Sequence, residues 1–266
     1  MPKDVGRGIW YLNSSAEKDN DMALYALGKL YLAGVDVPQD INKALDCLQK
    51  SADLGNASAH YQLGKLYLEG AVVLKDVPKA LYHLEESARL ENDWAMYTLG
   101  VLYLKGEDVQ KDVGKAIGYL EKAAEKVNAS AQYQLGKLYF NGGEIPQDVN
   151  RGIWYMEQAI SNGNDATMCF LGRAYLVGDN VSKSIKKGLE LLQAAADRGN
   201  EYAAKMIENF NANAAHTAIS ILHKLSLILQ NNNAVMAAKK PVMPAVDKKE
   251  LLAILRKKEE QGIRYD

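Results

Sequence analysis

Histidine, carboxylate and lysine side chains are the groups in this chain that could do chemistry, and their spacing decides which chemistry is available. The four histidines are His60, His83, His216 and His223. We interpret each as isolated on a helix, because no Cys–His, Ser–His–Asp or paired-carboxylate pattern lies near it. His216 and His223 could share a helix face, but a zinc site there would lack a nearby thiolate or carboxylate. The sequence therefore predicts no catalytic centre, no metal and no cofactor.

Acidic side chains recur at a constant step of 36 residues, with serine in the sixth place: Asp4, Asp40, Asp76, Asp112, Asp148 and Ser184. Carboxylates one step apart are too distant from each other to bind one ion. Aspartate and serine share a side-chain oxygen that can cap the free N–H groups of a following helix, which stabilises it by about 1 kcal/mol. We predict that these residues are helix caps.

Basic side chains recur at the same step, in the order Lys29, Lys65, Lys137 and Arg173, with Val101 interrupting the series. Such a ladder could bind an acidic partner through charge-assisted hydrogen bonds. The alternative is that these lysines form a solvated face that keeps the protein in solution. The sequence leaves both possibilities open.

The segments of sequence that carry these acidic and basic side chains also repeat every 36 residues. Residues 24–34 (LYALGKLYLAG), 60–70 (HYQLGKLYLEG) and 132–142 (QYQLGKLYFNG) are nearly identical. Two sets of glycines repeat at this interval: Gly28, Gly64, Gly100, Gly136, Gly172, and Gly34, Gly70, Gly106, Gly142, Gly178. Self-similarity at a period in the thirties is typical of stacked supersecondary units.

One unit, residues 57–92, predicts two amphipathic helices. Leu63 belongs to the apolar stripe of the first helix and Leu84 to that of the second. Gly70 would end the first helix in a left-handed conformation. An asparagine in the turn before each first helix can cap that helix. Glycine within a helix costs roughly 1 kcal/mol relative to alanine, so we expect Gly64 to permit the close approach of a neighbouring helix.

The pattern A-x-x-x-L-G-x-L-Y-x-x-G … D-x-x-K-A-x-x-x-L-x-x-(S/A)-A-x-x-x-N resembles Sel1-like repeats, which are related to tetratricopeptide repeats. The resemblance covers residues 1–210 and implies an all-α protein, a right-handed α/α superhelix of about five helix-turn-helix repeats of 36 residues. It also implies a bacterial, non-catalytic scaffold for protein–protein interaction. Residues 2–11 nearly repeat residues 146–155, so we expect the chain to start in mid-repeat.

In related repeats the first helices line the concave face, so the resemblance places the variable side chains of these helices in a groove. We predict that the groove binds a protein or peptide segment that is acidic or ends in a free carboxylate. The residues expected to contact it are Lys29, Gln62, Lys65, Trp94, Gln134, Lys137, Phe170 and Arg173. The lysines and Arg173 would supply charge, and Trp94 and Phe170 would be apolar anchors.

The end of the chain leaves the repeat register. We predict a capping helix at 211–230, a linker at 231–246 and a basic helix at 247–266, which together form a helical tail. The ending VDKKELLAILRKKEEQGIRYD also resembles the C-termini of some mobilisation relaxases that carry Sel1-like repeats. An alternative function is therefore an accessory region of a relaxase that contacts nucleic acid or transfer machinery.

Composition narrows the classes of function and partner that remain. A net charge of −1 gives no global field to attract nucleic acid or an anionic membrane. Cys47 and Cys169 lie about three repeats apart, too far for a disulfide within the chain. This indicates a reducing compartment or indifference to redox state, and we expect a cytoplasmic protein. The longest apolar run, residues 218–229, is too short to span a membrane, so we expect no membrane partner. A β-lactamase-like hydrolase is a further alternative, because some Sel1-like proteins are described as such. We interpret the sequence as lacking the S-x-x-K motif at a helix start that this activity would need. The oligomeric state is left open.

Overall fold

The computed structural model describes residues 5–212, which are helical apart from short connections. The helices are α1 (Val5–Ala16), α2 (Asp21–Ala33), α3 (Ile41–Asp53), α4 (Ala57–Glu69), α5 (Val77–Arg89), α6 (Asp93–Lys105), α7 (Val113–Glu125), α8 (Ala129–Asn141), α9 (Val149–Ser161), α10 (Asp165–Val177) and α11 (Ile185–Asp197). Residues 201–212 continue as helix.

Five helix pairs, α2/α3 to α10/α11, form the repeats of an α/α solenoid, and each pair packs on the next. We call α2, α4, α6, α8 and α10 the first helices, and α3, α5, α7, α9 and α11 the second helices. This architecture confirms the predicted fold class. The linker at 231–246, the basic helix at 247–266 and all but two residues of the capping helix at 211–230 lie outside the described residues.

The predicted caps are confirmed throughout the described chain. The turn asparagines accept a hydrogen bond at the start of each first helix, as in Asn56 Oδ1 to the N–H of Ala59 at 2.9 Å. The second helices are capped in the same way, as in Asp76 Oδ1 to the N–H of Lys79 at 3.0 Å. Ser184 caps α11 with its hydroxyl oxygen. Asp4 lies outside the described residues.

Gly70 ends α4 as predicted, with φ +67°. A β-carbon on Gly70 would also lie 2.8 Å from Cβ of Lys75, so the turn tolerates no side chain there. The connection then closes through the N–H of Asp76, which donates to the carbonyl of Tyr67 at 3.0 Å. The cap of the second helix is thereby fixed to the last turn of the first helix.

The expected close approach at Gly64 is present. A β-carbon on Gly64 would lie 2.7 Å from Cγ of Leu84 and 3.2 Å from the carbonyl oxygen of Ala80. Gly28, Gly100, Gly136 and Gly172 meet their second helices in the same way. Two pairs have an additional glycine at the point where the second helix contacts the first. Gly152 lies under the buried Phe140, and Gly188 lies under Leu176.

Side chains also tie each repeat to the one before it. The amide of Asn56 donates to Oδ2 of Asp21 at 2.8 Å, while its oxygen caps α4. Asn128 makes the same bond to Asp93 at 2.7 Å. The cap asparagine therefore has two roles, and an ionised aspartate, which only accepts hydrogen bonds, could fill only the first of them.

The recurring tyrosines of the first helices fill space beside the second helices. In each pair a basic residue of the second helix lies over the tyrosine ring, as Lys79 does 5.3 Å from the ring centroid of Tyr67. The other pairs are Lys43–Tyr31, Lys115–Tyr103, Arg151–Tyr139 and Lys187–Tyr175. The tyrosines thus form cation–π contacts that join the two helices of each pair.

Gly64→Ala should destabilise the protein, because the new methyl group would overlap Leu84. Overpacking of this kind typically costs about 1–3 kcal/mol. Gly118→Ala is the matched control, since a β-carbon on Gly118 meets nothing within 4 Å. It should stabilise the protein by up to about 1 kcal/mol. Urea denaturation followed by circular dichroism compares the two, and an equal effect of both changes would refute the close approach.

Asn128→Asp should destabilise the repeat junction while keeping the cap oxygen. The change removes the donor to Asp93 and places two carboxylates together, at a cost of about 1–3 kcal/mol. Asn92→Asp is the control, because the structure gives the Asn92 amide no such carboxylate acceptor and Asn92 still caps α6. Thermal unfolding should show a lower midpoint for Asn128→Asp. Equal midpoints would mean that the hydrogen bond from Asn128 to Asp93 does not stabilise the protein.

Candidate functional site

The eight predicted contact residues all lie on the first helices, and we call this surface the first-helix face. All three of its lysines have partners on their own helix, and Lys137 lies against the ring of Tyr133. The ammonium of Lys29 lies 5.5 Å from the ring centroid of Tyr25. Lys65 forms an ion pair with Glu69, with 3.4 Å between Nζ and Oε1. Lys65 therefore brings little net charge to the face, and the basic ladder is weaker there than its spacing indicates.

A hollow of about 400 Å³ brings Phe170 and Arg173 together on this face. Tyr133 of α8, Cys169 of α10 and Tyr202 also line it. The ring of Phe170 lies edge-on to Tyr133, with 6.1 Å between centroids. It also packs on the buried Phe140 at 5.5 Å, so Phe170 is partly a core residue as well as a surface one.

Arg173 is the cation that lines this hollow, and it is available to a ligand. Arg173 is exposed and forms no ion pair within the part of the chain that the structure describes. The ammonium of Lys137 lies 5.5 Å from the ring centroid of Tyr133, which lines the hollow. Burial raises the pKa of Tyr133, and Arg173 opposes that rise. The phenol is therefore neutral at physiological pH and can donate a hydrogen bond to a carboxylate.

The other predicted residues do not line this hollow. Trp94 is 48 % exposed and lies edge-on to Tyr97 at 5.9 Å. Gln62 and Gln134 are partly buried on their helices. The structure thus gathers Phe170, Arg173 and the neighbouring Lys137 into one site and leaves Trp94 apart from it.

Sequence reasoning missed the tyrosines of this face. Tyr133 lines the hollow. It belongs to a series of tyrosines that recur every 36 residues: Tyr25, Tyr61, Tyr97 and Tyr133. Cys169 takes the next place in the series and leaves room beside Phe170. The 36-residue recurrence of these tyrosines is the feature of the sequence from which they could have been predicted.

The prediction that His60 and His83 are isolated is wrong. They belong to the two helices of one repeat, and their Nδ1 atoms lie 3.1 Å apart. Both are buried, with 6 % and 5 % of their surfaces exposed. A single N–H shared between the rings satisfies both nitrogens when both histidines are neutral. Equivalent positions carry Met96 and Tyr119, so the pair is particular to this repeat.

Burial and the paired ring suppress protonation of these histidines. Burial lowers the pKa of His60, although Glu86 and Asp53 favour its charged form. Burial, and then the proximity of His60, lower the pKa of His83 to about 4, a change that Lys79 reinforces. The pair is therefore neutral at physiological pH.

The expectation that no S-x-x-K motif occurs at a helix start is also wrong. Ser184-Ile185-Lys186-Lys187 has this spacing at the start of α11. The hydroxyl oxygen of Ser184 accepts the N–H of Lys187 at 3.3 Å as the helix cap. The ammonium of Lys187 lies over Tyr175 at 5.2 Å. Both side chains are accounted for by the repeat framework.

The described residues were also surveyed for ion sites and membrane spans. Within 5–212, no three histidine, cysteine, aspartate or glutamate side chains form a group that could hold a metal ion. No helix in the same range has the length and apolar character needed to cross a bilayer.

Comparison with known proteins gives a consistent family match. A family model described as Sel1 repeat matches residues 1–20, 21–56, 57–92, 95–128, 129–164 and 166–200. A search of curated proteins found no match.

Solved structures agree with the family match. A Sel1 repeat protein from Oxalobacter formigenes is 30 % identical with a TM-score of 0.65, over 71 % of this chain and 77 % of that one. A protective antigen of uropathogenic Escherichia coli strains is 27 % identical with a TM-score of 0.68, over 73 % of this chain. This chain spans only 42 % of that antigen. An immunity protein of Pseudomonas aeruginosa, 23 % identical with a TM-score of 0.50 over 74 % of each chain, shares the fold.

Acidification should destabilise the protein through the histidine pair. An unfolded histidine has a pKa near 6.5, whereas folding lowers that of His83 to about 4. The unfolded chain therefore binds more protons between these values, and stability is lost as the pH falls through this window. The expected loss is about 2 kcal/mol between pH 7 and pH 5. The measurement is urea denaturation at both pH values.

The double variant His60→Met/His83→Tyr is the control, because it installs the side chains found at the equivalent positions Met96 and Tyr119. Its stability should change much less over this pH range. An equally steep pH dependence in the double variant would show that other groups cause the loss.

Proposed function

The chain belongs to the Sel1 repeat family, and we propose that it is a non-catalytic adaptor whose first-helix face binds an acidic or C-terminal segment of a partner protein. Sel1 repeat proteins generally mediate protein–protein interaction, on a fold that generally serves as a scaffold without catalysis. The choice of face and of ligand is specific to this chain and rests on the residues of the hollow.

The observation that carries the proposal is the hollow around Phe170 and Arg173. A guanidinium without an ion-pair partner in the described chain lies beside aromatic rings that can cover the apolar part of a ligand. Arginine binds carboxylates through two parallel hydrogen bonds, which gives both energy and orientation. The nearby Lys137 would add a second positive charge. This combination favours a terminal carboxylate or an acidic side chain over a basic or neutral ligand.

The remaining residues of the first-helix face would act in the wider contact. Trp94 offers a large exposed ring at which a longer segment could be anchored. Lys29, Gln62 and Gln134 would contact the same segment along the repeats, and Lys65 would contribute less because Glu69 neutralises it. The hollow at Arg173 would thus bind the carboxylate of the ligand, and the rest of the first-helix face would contact the remainder of the segment.

Arg173→Gln combined with Lys137→Gln should weaken binding of an acidic peptide with a free C-terminus by at least about tenfold, because both charges at the hollow are lost. Fluorescence anisotropy with a labelled peptide measures the affinity. The same peptide with an amidated C-terminus should bind the unchanged protein more weakly. Raising the salt concentration should also weaken binding, since exposed charges are screened.

The control is Lys43→Gln, which removes an exposed lysine from the second helix α3. It should leave the affinity unchanged. If the Arg173/Lys137 variant and the Lys43 variant bind the peptide equally well, or if amidation makes no difference, the hollow is not a carboxylate-binding site.

A further inference from the structure

A second exposed aromatic site lies on the second helices. Trp154 of α9 is 54 % exposed and lines a hollow of about 620 Å³ with residues of α7, among them Glu121 and Glu125. Its indole lies edge-on to Tyr155, with 4.8 Å between ring centroids. The outer face of the indole is therefore open to a ligand, and an exposed tryptophan in a hollow is a common centre of protein interfaces.

The hollow at Trp154 is lined by two carboxylates, Glu121 and Glu125, and one cation. The one cation of this hollow, Arg151, is held by Glu121 at 3.0 Å and lies 4.1 Å from the ring centroid of Tyr139. Glu125 is exposed and has no hydrogen-bonding or ion-pair partner among residues 5–212. This hollow therefore has a surplus negative charge beside an indole ring.

A neighbouring hollow extends the same chemistry to the next repeat. It measures about 280 Å³, lies between α9 and α11, and is lined by apolar residues together with Glu157 and Glu190. Neither carboxylate has a partner within the described chain. Lys187 also lines this hollow, with its ammonium over the ring of Tyr175. Trp154 does not line this second hollow, so one unpaired carboxylate, Glu125, lies in the hollow of Trp154 and two more, Glu157 and Glu190, lie in the next one.

The backbone at Val127 supports a role for this region in binding. Val127 lines the Trp154 hollow, is 58 % exposed and has φ +64°. A β-branched residue is strongly disfavoured in this left-handed conformation. The equivalent positions are Gly55, Gly163 and Gly199, together with Asp19 and Glu91, which also have positive φ. Val127 is the one apolar side chain in this series, and it adds an apolar contact for a ligand at the Trp154 hollow.

Gly118 is the second local departure from the framework. It lies inside α7, where glycine is among the least favourable residues. A β-carbon there would meet nothing within 4 Å, so no close packing requires it. Gly118 holds the place that Trp154 holds one repeat later, and it lies on the same helix as Glu121. No side chain at position 118 covers the surface of α7.

We propose that the second-helix surface around Trp154 is a separate docking site for a lysine- or arginine-bearing segment of a partner protein. The cationic group would lie against the indole, which is the best aromatic partner for a cation. Glu125, Glu157 and Glu190 would pair with the charges of the segment, and Val127 would contact its aliphatic parts. The site shares no residue with the hollow at Arg173, so the two proposals stand independently.

The test uses the full chain and a fluorescein-labelled glycine–serine peptide with lysines at alternate positions. Trp154→Ala, and separately the triple change Glu125→Gln/Glu157→Gln/Glu190→Gln, should each weaken binding by at least about fivefold. Val127→Gly should raise the thermal midpoint, because it relieves strain, and should still lower the affinity. Loss of affinity in a more stable protein separates a binding role from damage to the fold.

Trp94→Ala on the first-helix face is the control and should bind the lysine peptide normally, as should the Arg173/Lys137 variant. A peptide with glutamates in place of the lysines should not bind at Trp154. The proposal is overturned if the lysine peptide does not bind, or if Trp154→Ala binds it unchanged. It is also overturned if Trp154→Ala instead converts a dimer of the chain into monomers, because the occupant would then be a second copy.

Discussion

The contact between a helical glycine and a leucine of the partner helix is the constraint on which the rest of the structure depends. At Gly64 the two backbones of a repeat come so close that Cγ of Leu84 occupies the space of a β-carbon. This contact fixes the distance and rotation of the pair, and the buried stripe, with Leu63 and Leu84 almost fully covered, follows from it. In the pair α8/α9 a methionine replaces the leucine at Gly136, and Gly152 makes room for Phe140. The constraint is thus kept while the side chains that meet it vary.

The framework leaves two surfaces free to vary, and their chemistries are opposite. The first-helix face has cations and aromatic rings at Arg173, Lys137 and Phe170. The second-helix surface has an exposed tryptophan in a hollow with the unpaired carboxylate of Glu125. An adaptor that engages one acidic and one basic segment would use both surfaces of the same repeats.

Much of the framework could be predicted from the sequence because it depends on local spacing. The role of Asp76 as a cap, of Gly70 as a helix end and of Gly64 as a contact point each follow from position within one repeat. The candidate site could be predicted only in part. Arg173 and Phe170 were among the predicted contact residues. Tyr133 was not, because residues of different helices form the hollow and the repeat pattern does not show which of them meet. The contact of His60 with His83 depends on the rotation of α4 against α5, which a repeat pattern does not reveal. Val127 was missed because its strain depends on a backbone angle.

We propose that the hollow at Phe170 and Arg173 binds the carboxylate of a partner protein. Site-specific photo-crosslinking tests this directly, with a photoreactive amino acid at the exposed Tyr202, which lines the hollow. The cross-linked peptide is then sequenced by mass spectrometry after reaction in cells of the source organism. We expect an acidic segment or the C-terminal peptide of a partner protein, and we expect it to be lost when Arg173 is replaced by glutamine. A cross-link to a basic or internal neutral segment, or one that persists without Arg173, would contradict the claim.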